Sequence, residues 1–151
     1  MKILTTAAVI VTLAGAAFAG GSGLVLKEAT AGVSETVDAL VSTMEGAGLN
    51  IFARVDHGAG AVSVGEDVGA SQLLIFGSPK VGTPAIKDDP LSGLFLPLKV
   101  LVYEDGTGKT MIAYEDPTEM LSPLGGVSKD APYLAVMSGA LAKFSGSVAA
   151  E

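Results

Sequence analysis

The spacing of apolar residues predicts two amphipathic helices in this chain. After Ser34, apolar side chains recur at intervals of three and four residues and so share one face of a helix: Val37, Leu40, Val41 and Met44. The Ser34 hydroxyl is expected to cap this helix, and Gly46 and Gly48 are expected to end it. A second helix is expected to begin at Pro132, with an apolar face formed by Leu134, Met137, Leu141 and Phe144.

Five segments carry strand patterns, a short one at Leu24–Leu26 and four more over residues 50–57, 72–76, 98–103 and 110–116. The run at 72–76 is apolar without interruption, which is typical of a strand covered on both faces or lying at a dimer contact. The turn that begins at Asp105 predicts a hairpin in which Asp105 lies opposite Thr110. Thr83-Pro84 is expected to begin a short helix between two strands.

The segment from Asn50 to His57 alternates in the manner of a strand with one apolar side. That side is expected to carry Ile51, Ala53 and Val55. Phe52, Arg54 and Asp56 are expected on the other side. The alternation therefore predicts a strand with one buried and one exposed face.

The elements follow the order β-α-β-β-β-β-α. Two amphipathic helices need an apolar partner, and one face of a sheet supplies it. The sequence therefore predicts an α+β fold built as a two-layer sandwich. A chain of 151 residues is long enough for one domain with a proper core.

Residues 1–19 have the composition of a secretory signal peptide. Lys2 gives a positive start, residues 3–16 form an apolar core, and Ala17-Phe18-Ala19 is a small-x-small cleavage site. The apolar core is shorter than the roughly 20 residues of a membrane-spanning helix, so an uncleaved anchor is the less favoured alternative. Cleavage after Ala19 leaves residues 20–151 as a single domain, expected in the periplasm or outside the cell.

Charge and cysteine content exclude several classes of partner and site. The formal net charge is −7, and loss of Lys2 with the signal peptide makes it −8. Nucleic acid and anionic membrane surfaces repel an acidic protein, so neither is expected as a partner of the mature chain. The sequence has no cysteine, which excludes disulfides, thiolate metal sites and a cysteine nucleophile.

The loop GSPKVGT, residues 77–83, joins a strand to a helix start, which is where phosphate-binding loops occur. Thr83 and Pro84 stand where such loops need lysine and a hydroxyl residue, and proline has no backbone donor, so nucleotide hydrolysis is not expected. A weaker interpretation is that Lys80, Gly82 and Thr83 hold a small anion at the helix N-terminus. The alternative is a tight turn with a solvated lysine.

His57 is the single histidine of the chain and follows Asp56 at a strand end. An imidazole can bind a metal or haem iron or transfer a proton, so His57 is a candidate metal ligand, with the identity of any cofactor left open. Adjacent strand residues point to opposite faces, so Asp56 is not expected to orient the ring. The alternative is a hydrogen-bonded histidine at the rim of the core.

The hairpin carries a further candidate ligand contact, Tyr103, although an aromatic residue on a sheet more often packs there. Glu104 and Glu115 are expected about 13 Å apart, too far for paired-carboxylate catalysis. In the same register, Asp116 is expected to form an ion pair with Lys99 across the strands.

Three blocks resemble the domain of unknown function 302 family: SETVDALVSTMEGAGLNIFARVDH, LLIFGSPKVGTP and LPLKVLVYEDGTGKTMIAYEDP. They occur in the family's order, within residues 24–124. The resemblance implies a TBP-like fold with a curved antiparallel sheet and two main helices, and it implies a homodimer. It implies no established activity. The chain departs from the family pattern at residues 58–65, where glycines replace an alanine-rich helical turn.

These observations predict an exported, non-catalytic module that binds a ligand or a partner, because no catalytic set of residues is evident. The expected partners are a second copy of the chain, a small anionic ligand or a periplasmic protein. The alternative is a metal- or haem-associated enzyme or redox accessory protein that uses His57.

Overall fold

The helices of this protein pack on one face of an antiparallel sheet. A computed structural model describes the backbone of residues 18–20 and all of residues 23–150. Its strands are β1 (Phe18–Gly20), β2 (Leu24–Glu28), β3 (Asn50–Asp56), β4 (Ser71–Gly77), β5 (Leu98–Glu104) and β6 (Thr110–Glu115). They pair in the order β1-β2-β6-β5-β4-β3, and every pair is antiparallel. Residues 1–17 of the predicted signal peptide lie outside the described residues, and cleavage stays a prediction.

The helices of the described chain complete the predicted order. They are α1 (Val33–Gly46), α2 (His57–Ser63), α3 (Pro79–Asp88), a 3-10 helix (Pro90–Leu94), α4 (Pro117–Leu121) and α5 (Pro132–Gly146). The α+β class and the β-α-β-β-β-β-α order, from β2 to α5, are confirmed. The strand β1, the helices α2 and α4 and the 3-10 helix are additions to the prediction, which already included a short helix between β4 and β5. No helix among the described residues is both long and apolar enough to cross a membrane.

The core lies between the sheet and the two long helices. The predicted apolar faces of α1 and α5 are buried except for the half-buried Val41. They face side chains from one side of the sheet: Leu74, Phe76, Leu98, Val100, Val102, Ile112 and Tyr114. Phe76 of β4 meets Phe144 of α5 edge to face, with ring centroids 6.4 Å apart, an arrangement that aromatic pairs favour. The periodicity of both helices therefore predicted their buried faces correctly.

The opposite side of the sheet, which we call the open face, has no buried side chain among the described residues. Because side chains alternate along each strand, it collects the residues between the core positions. Half-buried apolar side chains dominate it: Leu26, Leu73, Ile75, Leu101, Met111 and Ala113. Within one copy of the chain, the apolar run of β4 is therefore covered on its core side and uncovered on the open face.

A β-bulge in β3 changes the predicted alternation. Ile51 pairs with Phe76 and Ala53 pairs with Ile75, so Phe52 is an extra residue without a partner in β4. The extra residue shifts the alternation of the strand, so side chains before and after it that were expected on the same face point to opposite faces. Ile51 therefore packs against the core while Ala53 belongs to the open face, and the prediction that they share one side was wrong.

Two helices begin earlier than predicted, α1 by two residues and α3 by five. The helix α1 begins at Val33 after Gly32, and no side chain caps it; the Ser34 hydroxyl instead accepts a hydrogen bond from Arg54. The helix α3 begins at Pro79, so Pro84 lies inside it. Ser78-Pro79 carries the same start signal as Thr83-Pro84, and the earlier of the two pairs begins the helix.

The hairpin register is shifted by one residue from the prediction, because Glu104 and not Asp105 pairs with Thr110. The Asp105 carboxylate accepts hydrogen bonds from the Thr107 hydroxyl and from the backbone N–H groups of Thr107 and Lys109, so it belongs to the turn. These bonds hold the pKa of Asp105 below its ordinary value, with the Thr107 hydroxyl as the largest cause.

The predicted ion pair between Asp116 and Lys99 was also wrong. Asp116 caps α4 by accepting hydrogen bonds from the N–H groups of Thr118 and Glu119. Lys99 donates to the Phe95 carbonyl at 3.2 Å. Aspartate is a preferred capping residue, and the short helix α4, which was not predicted, supplied the donors.

Candidate functional site

A cavity of about 270 Å³ lies where β4 passes into α3. Its walls come from β3, from the junction of β4 and α3, from the segment before β5 and from α5. The lining residues are Phe52, Gly77, Ser78, Pro79, Val81, Gly82, Thr83, Ile86, Leu96, Pro97, Leu98 and Met137. None of them carries a charge, so the cavity is suited to an uncharged and largely apolar group.

The bulge and two glycines give the cavity its shape. Phe52, the extra residue of β3, forms an outer wall and remains 55% exposed. A Cβ atom at Gly77 would lie 3.7 Å from the Phe52 ring, and one at Gly82 would lie 3.7 Å from a Leu96 methyl group. Any side chain larger than alanine at these glycines would therefore enter the cavity.

Met137 of α5 forms a buried part of the wall and is 2% exposed, whereas Ile86 of α3 is 41% exposed. The cavity thus passes from the packed core to a solvent-accessible apolar rim. Such a gradient allows an apolar group to enter from water and exchange it for packed contacts, which is the main source of affinity at most small-molecule sites.

Few polar groups in the cavity are free to form a hydrogen bond with a ligand. The Ser78 hydroxyl makes no capping bond, and neither it nor the Thr83 hydroxyl has a hydrogen-bond partner among the described residues. The N–H groups of Val81 and Gly82 both donate to the Ser78 carbonyl. Because these N–H groups are already used, the predicted anion cradle has few free backbone donors.

The structure separates the five predicted site residues into three places. Gly82 and Thr83 line the cavity. Thr83 also lines a second, outer groove on α3, together with Lys80, Lys87 and Asp88. His57 and Tyr103 lie near the opposite end of the sheet, about 20 Å away at the rise of a strand as long as β3.

His57 is exposed and begins α2 directly after β3. As predicted, Asp56 does not serve its ring: the Asp56 carboxylate accepts the Ala59 N–H at 2.8 Å and caps α2. No group of three or more His, Cys, Asp or Glu residues that could hold a metal ion occurs in the described part of the chain. A metal or haem site at His57 stays a prediction that would need ligands from elsewhere.

Tyr103 belongs to the open face, where it is half-buried and pairs with Ser71 of β4 and Met111 of β6. It therefore shares no site with Gly82 and Thr83. Sequence reasoning missed the residues that enclose the cavity, above all Phe52, Leu96 and Met137. The one available signal was Phe52, an aromatic residue on the side of the strand assigned to polar residues.

A partly buried hydrogen bond fixes the helix that forms one wall of the cavity. The Tyr133 hydroxyl of α5 donates to Asp88 at the end of α3, at 2.9 Å. Burial of the Tyr133 ring, and then this bond to a carboxylate, raise the pKa of Tyr133 to about 12. The neutral tyrosine thus ties α3 to the core helix α5.

The family model of the domain of unknown function DUF302 matches residues 26–143. The chain belongs to the DUF302 family. A solved DUF302 structure from Bacillus stearothermophilus, described as an uncharacterized conserved protein, is 20% identical with a TM-score of 0.69 and covers 81% of this chain and 94% of that chain. At this identity the likeness shows the shared DUF302 fold alone.

Two curated relatives of this DUF302 chain are each named fluoride-specific ion channel FluC 1. They come from Brucella suis biovar 1 (strain 1330) and Brucella abortus biovar 1 (strain 9-941), and each is 38% identical over 119 residues. The match covers 78% of this chain but 47% and 44% of those proteins. The DUF302 chain therefore spans less than half the length of these relatives.

Proposed function

We propose that this DUF302 chain is an exported, non-catalytic module that binds an uncharged, largely apolar group in the cavity between β4 and α3. The observation that carries the proposal is the lining of the cavity, which has apolar walls, no charged side chain and two hydroxyl groups that have no hydrogen-bond partner among the described residues. The volume of about 270 Å³ is close to the roughly 300 Å³ lower limit of ligand sites. The ligand is therefore a small molecule or a single apolar side chain of a partner.

A direct test is the binding of indole, which has an apolar ring and one hydrogen-bond donor. In ¹H–¹⁵N spectra, indole at millimolar concentration is expected to shift the amide signals of residues 77–83. Gly82→Leu should weaken binding at least tenfold, because its side chain enters the cavity next to Leu96.

The matched control is Gly139→Leu, at a helical glycine of α5 with nothing within 4 Å of an added Cβ atom. This variant has the same change in helix propensity and should bind indole as the wild type does. Shifts that persist in Gly82→Leu would place the indole elsewhere and contradict the proposal.

An anionic ligand at Lys80 has less support. Lys80 and Lys87 share their outer groove with Asp88, so the local charge is not purely positive. If the ligand carries a carboxylate, Lys80→Ala should weaken its binding and the affinity should fall with salt. If the ligand is uncharged, Lys80→Ala should leave its affinity unchanged.

The proposed export rests on the sequence of residues 1–19. Mass spectrometry of the protein purified from its native host should give a chain that begins at Gly20. A chain that retains Met1 or Lys2 would show that the segment is not cleaved.

A second candidate role is action beside a fluoride-specific ion channel, and it rests on the names of the curated relatives. Those names belong to whole proteins of which this chain matches less than half. We infer that the chain acts in the same process. Deleting its gene should increase growth inhibition by fluoride, and the wild-type gene should restore tolerance. An unchanged growth response to fluoride would reject this role.

A further inference from the structure

The outer edge of β3 is free for backbone pairing. β3 is the last strand of the sheet and pairs with β4, and within the described chain no backbone hydrogen bond outside this ladder reaches its middle residues. The Ala70 carbonyl accepts the Glu104 N–H on the β5 side of β4. Because successive residues of a strand bond to its two neighbours in turn, Leu73 bonds to its partner Val55 in β3. The N–H and the carbonyl of Arg54 therefore point away from the sheet.

The edge of β3 has few of the usual protections against pairing. Natural edge strands are commonly protected by lysine, proline or a charge that projects over the edge. β3 has the sequence NIFARVD, with neither lysine nor proline. The Arg54 guanidinium donates hydrogen bonds to Asp38 and Gln72 of its own chain. The bulge at Phe52 distorts the start of the edge and leaves residues 53–56 in regular register with β4. This part of the edge can accept one more short strand.

The cavity and the outer groove continue from the N-terminal end of this edge. Phe52 belongs both to β3 and to the wall of the cavity. Pro79 and Thr83 line the cavity and the outer groove alike. The groove adds the ammonium groups of Lys80 and Lys87, neither of which forms an ion pair within the described chain. Free backbone groups, an apolar cavity and two cations therefore follow one another along a continuous surface.

The dimensions and the charge of this surface match a short extended peptide. Residues 53–56 offer about 13 Å of strand at the usual rise per residue. A space of about 270 Å³ is about 8 Å across as a sphere, which two or three extended residues span. The groove beyond it contains two lysines and one aspartate, Asp88, so one carboxylate of a ligand would neutralise it. About six residues reach from β3 to the lysines.

We propose that the chain binds an extended peptide that pairs antiparallel to β3, places one apolar side chain in the cavity and sets a following carboxylate on Lys80 and Lys87. Antiparallel pairing is the more stable arrangement, and it directs the C-terminal end of the peptide past Phe52 to the cavity. In strand addition, backbone bonds give affinity and pockets for side chains give specificity. This inference rests on the proposed function, because the cavity must accept an apolar group.

Fluorescence anisotropy of labelled synthetic peptides tests the ligand chemistry. The peptide TVTVF with a free C-terminal carboxylate is expected to bind with a dissociation constant below about 100 µM. The same peptide with a C-terminal amide should bind at least fivefold more weakly. TVTVFE with a C-terminal amide carries its carboxylate on a side chain, so its affinity shows whether an acidic residue or a chain terminus is the better source. Equal affinity for all three peptides, or binding of none, would overturn the proposal.

Arg54→Pro tests the strand pairing, because it removes the outward N–H and leaves the bonds between β3 and β4 in place. It should weaken the binding of TVTVF at least tenfold. Arg54→Ala is the matched control, since it also loses the guanidinium but keeps the backbone N–H, and it should bind TVTVF as the wild type does. Equal binding by the two variants would contradict the pairing. Both should bind indole normally, whereas failure of the proposed function would abolish indole binding in the wild type.

N-methylated peptides cover the case in which Arg54→Pro does not fold. Alternate N–H groups of a paired strand face its neighbour. Methylation of one alternate set of amides in TVTVF should therefore weaken binding at least tenfold, and methylation of the other set should have little effect. Equal effects of the two sets would overturn the proposal. Light scattering tests another occupant: a wild-type dimer that dissociates in Arg54→Pro would assign the edge of β3 to a second copy and would also overturn it.

Discussion

The two ends of β4 differ in a way that residue types alone do not indicate. The C-terminal end leads into a half-open apolar cavity with walls from four parts of the chain. The N-terminal end lies near His57, Tyr103 and α2, a helix with no buried residue. The end with the more reactive residue types has no such cavity among the described residues, while the end with the cavity is made largely of inert side chains. Packed side chains form the walls of a cavity, and a binding site needs such walls before it needs reactive groups.

The comparison predicts the largest loss of stability at the cavity end. Met137→Ala removes a buried side chain that joins the core to the cavity wall, and we expect it to reduce the free energy of unfolding by about 2–5 kcal/mol. Urea denaturation measures this change. Val136→Ala, at the neighbouring residue that is 54% exposed, should cost less than about 0.5 kcal/mol. Equal costs at the two positions would mean that the cavity wall is not part of the core.

Tyr133→Phe tests how firmly α3 is fixed to α5. Loss of the hydrogen bond to Asp88 should cost about 1.5 kcal/mol at neutral pH, the lower limit for a bond to a charged group. Urea denaturation of both proteins at pH 8 gives the difference.

The same pair of proteins gives a pH test. The pKa of Tyr133 in the folded protein is raised to about 12 from an ordinary value of 10, so its contribution to stability is complete below pH 10 and is lost as the pH rises through 12. Between pH 10 and 12 the wild type should lose stability more steeply than Tyr133→Phe. Parallel pH profiles would contradict the assigned pKa.

Gly58→Ala tests whether the exposed end contains a tight contact. An added Cβ atom would lie 2.8 Å from the Gly69 carbonyl oxygen, and overpacking of this kind should outweigh the gain in helix propensity by about 1 kcal/mol. Gly60→Ala in the same helix meets nothing within 4 Å and should stabilise the protein slightly. Thermal unfolding of the two variants compares them, and equal shifts in Tm would show that α2 is loosely attached.

His57→Ala should have the smallest effect, a change in unfolding free energy below about 0.5 kcal/mol, because the side chain is exposed. Indole binding at the cavity should also be unchanged. Metal analysis and an absorption spectrum of protein from the native host test the alternative function. If stoichiometric metal or haem is present and is lost in His57→Ala, the functional end of β4 is the exposed end at His57 and not the cavity end.

The sequence was sufficient for the parts of the fold that depend on periodicity. Leu40 and Leu141 are fully or almost fully buried, as the helical spacing predicted, because burial of an apolar face decides where an amphipathic helix packs. The succession of strands and helices along the chain followed from the turns and from the alternation, whereas the order of the strands within the sheet was not predicted. The predictions of helix starts and of the hairpin register were less accurate. Ser78-Pro79 and Thr83-Pro84 carry the same helix-start signal, and the Asp105 side chain forms hydrogen bonds within the turn.

The site was predictable only in part. Gly82 and Thr83, predicted as anion contacts because a loop between a strand and a helix is a common place for binding, line the cavity, and their binding role stays a prediction. Phe52 and Met137 reach the same cavity from segments far away in the chain, and no local pattern brings such residues together. Lys80, which led to the anion interpretation, lines the outer groove and not the cavity, so that interpretation stays a prediction.

The bulge in β3 has an evolutionary consequence. Without Phe52, Ile51 and Ala53 would be consecutive and would already point to opposite faces, so the remaining strand would alternate regularly and keep its pairing with β4. One inserted codon thus adds a wall to the cavity and leaves the neighbouring strand positions in place. Homologous chains could therefore gain or lose this wall, and with it a ligand, by a single insertion or deletion at this position.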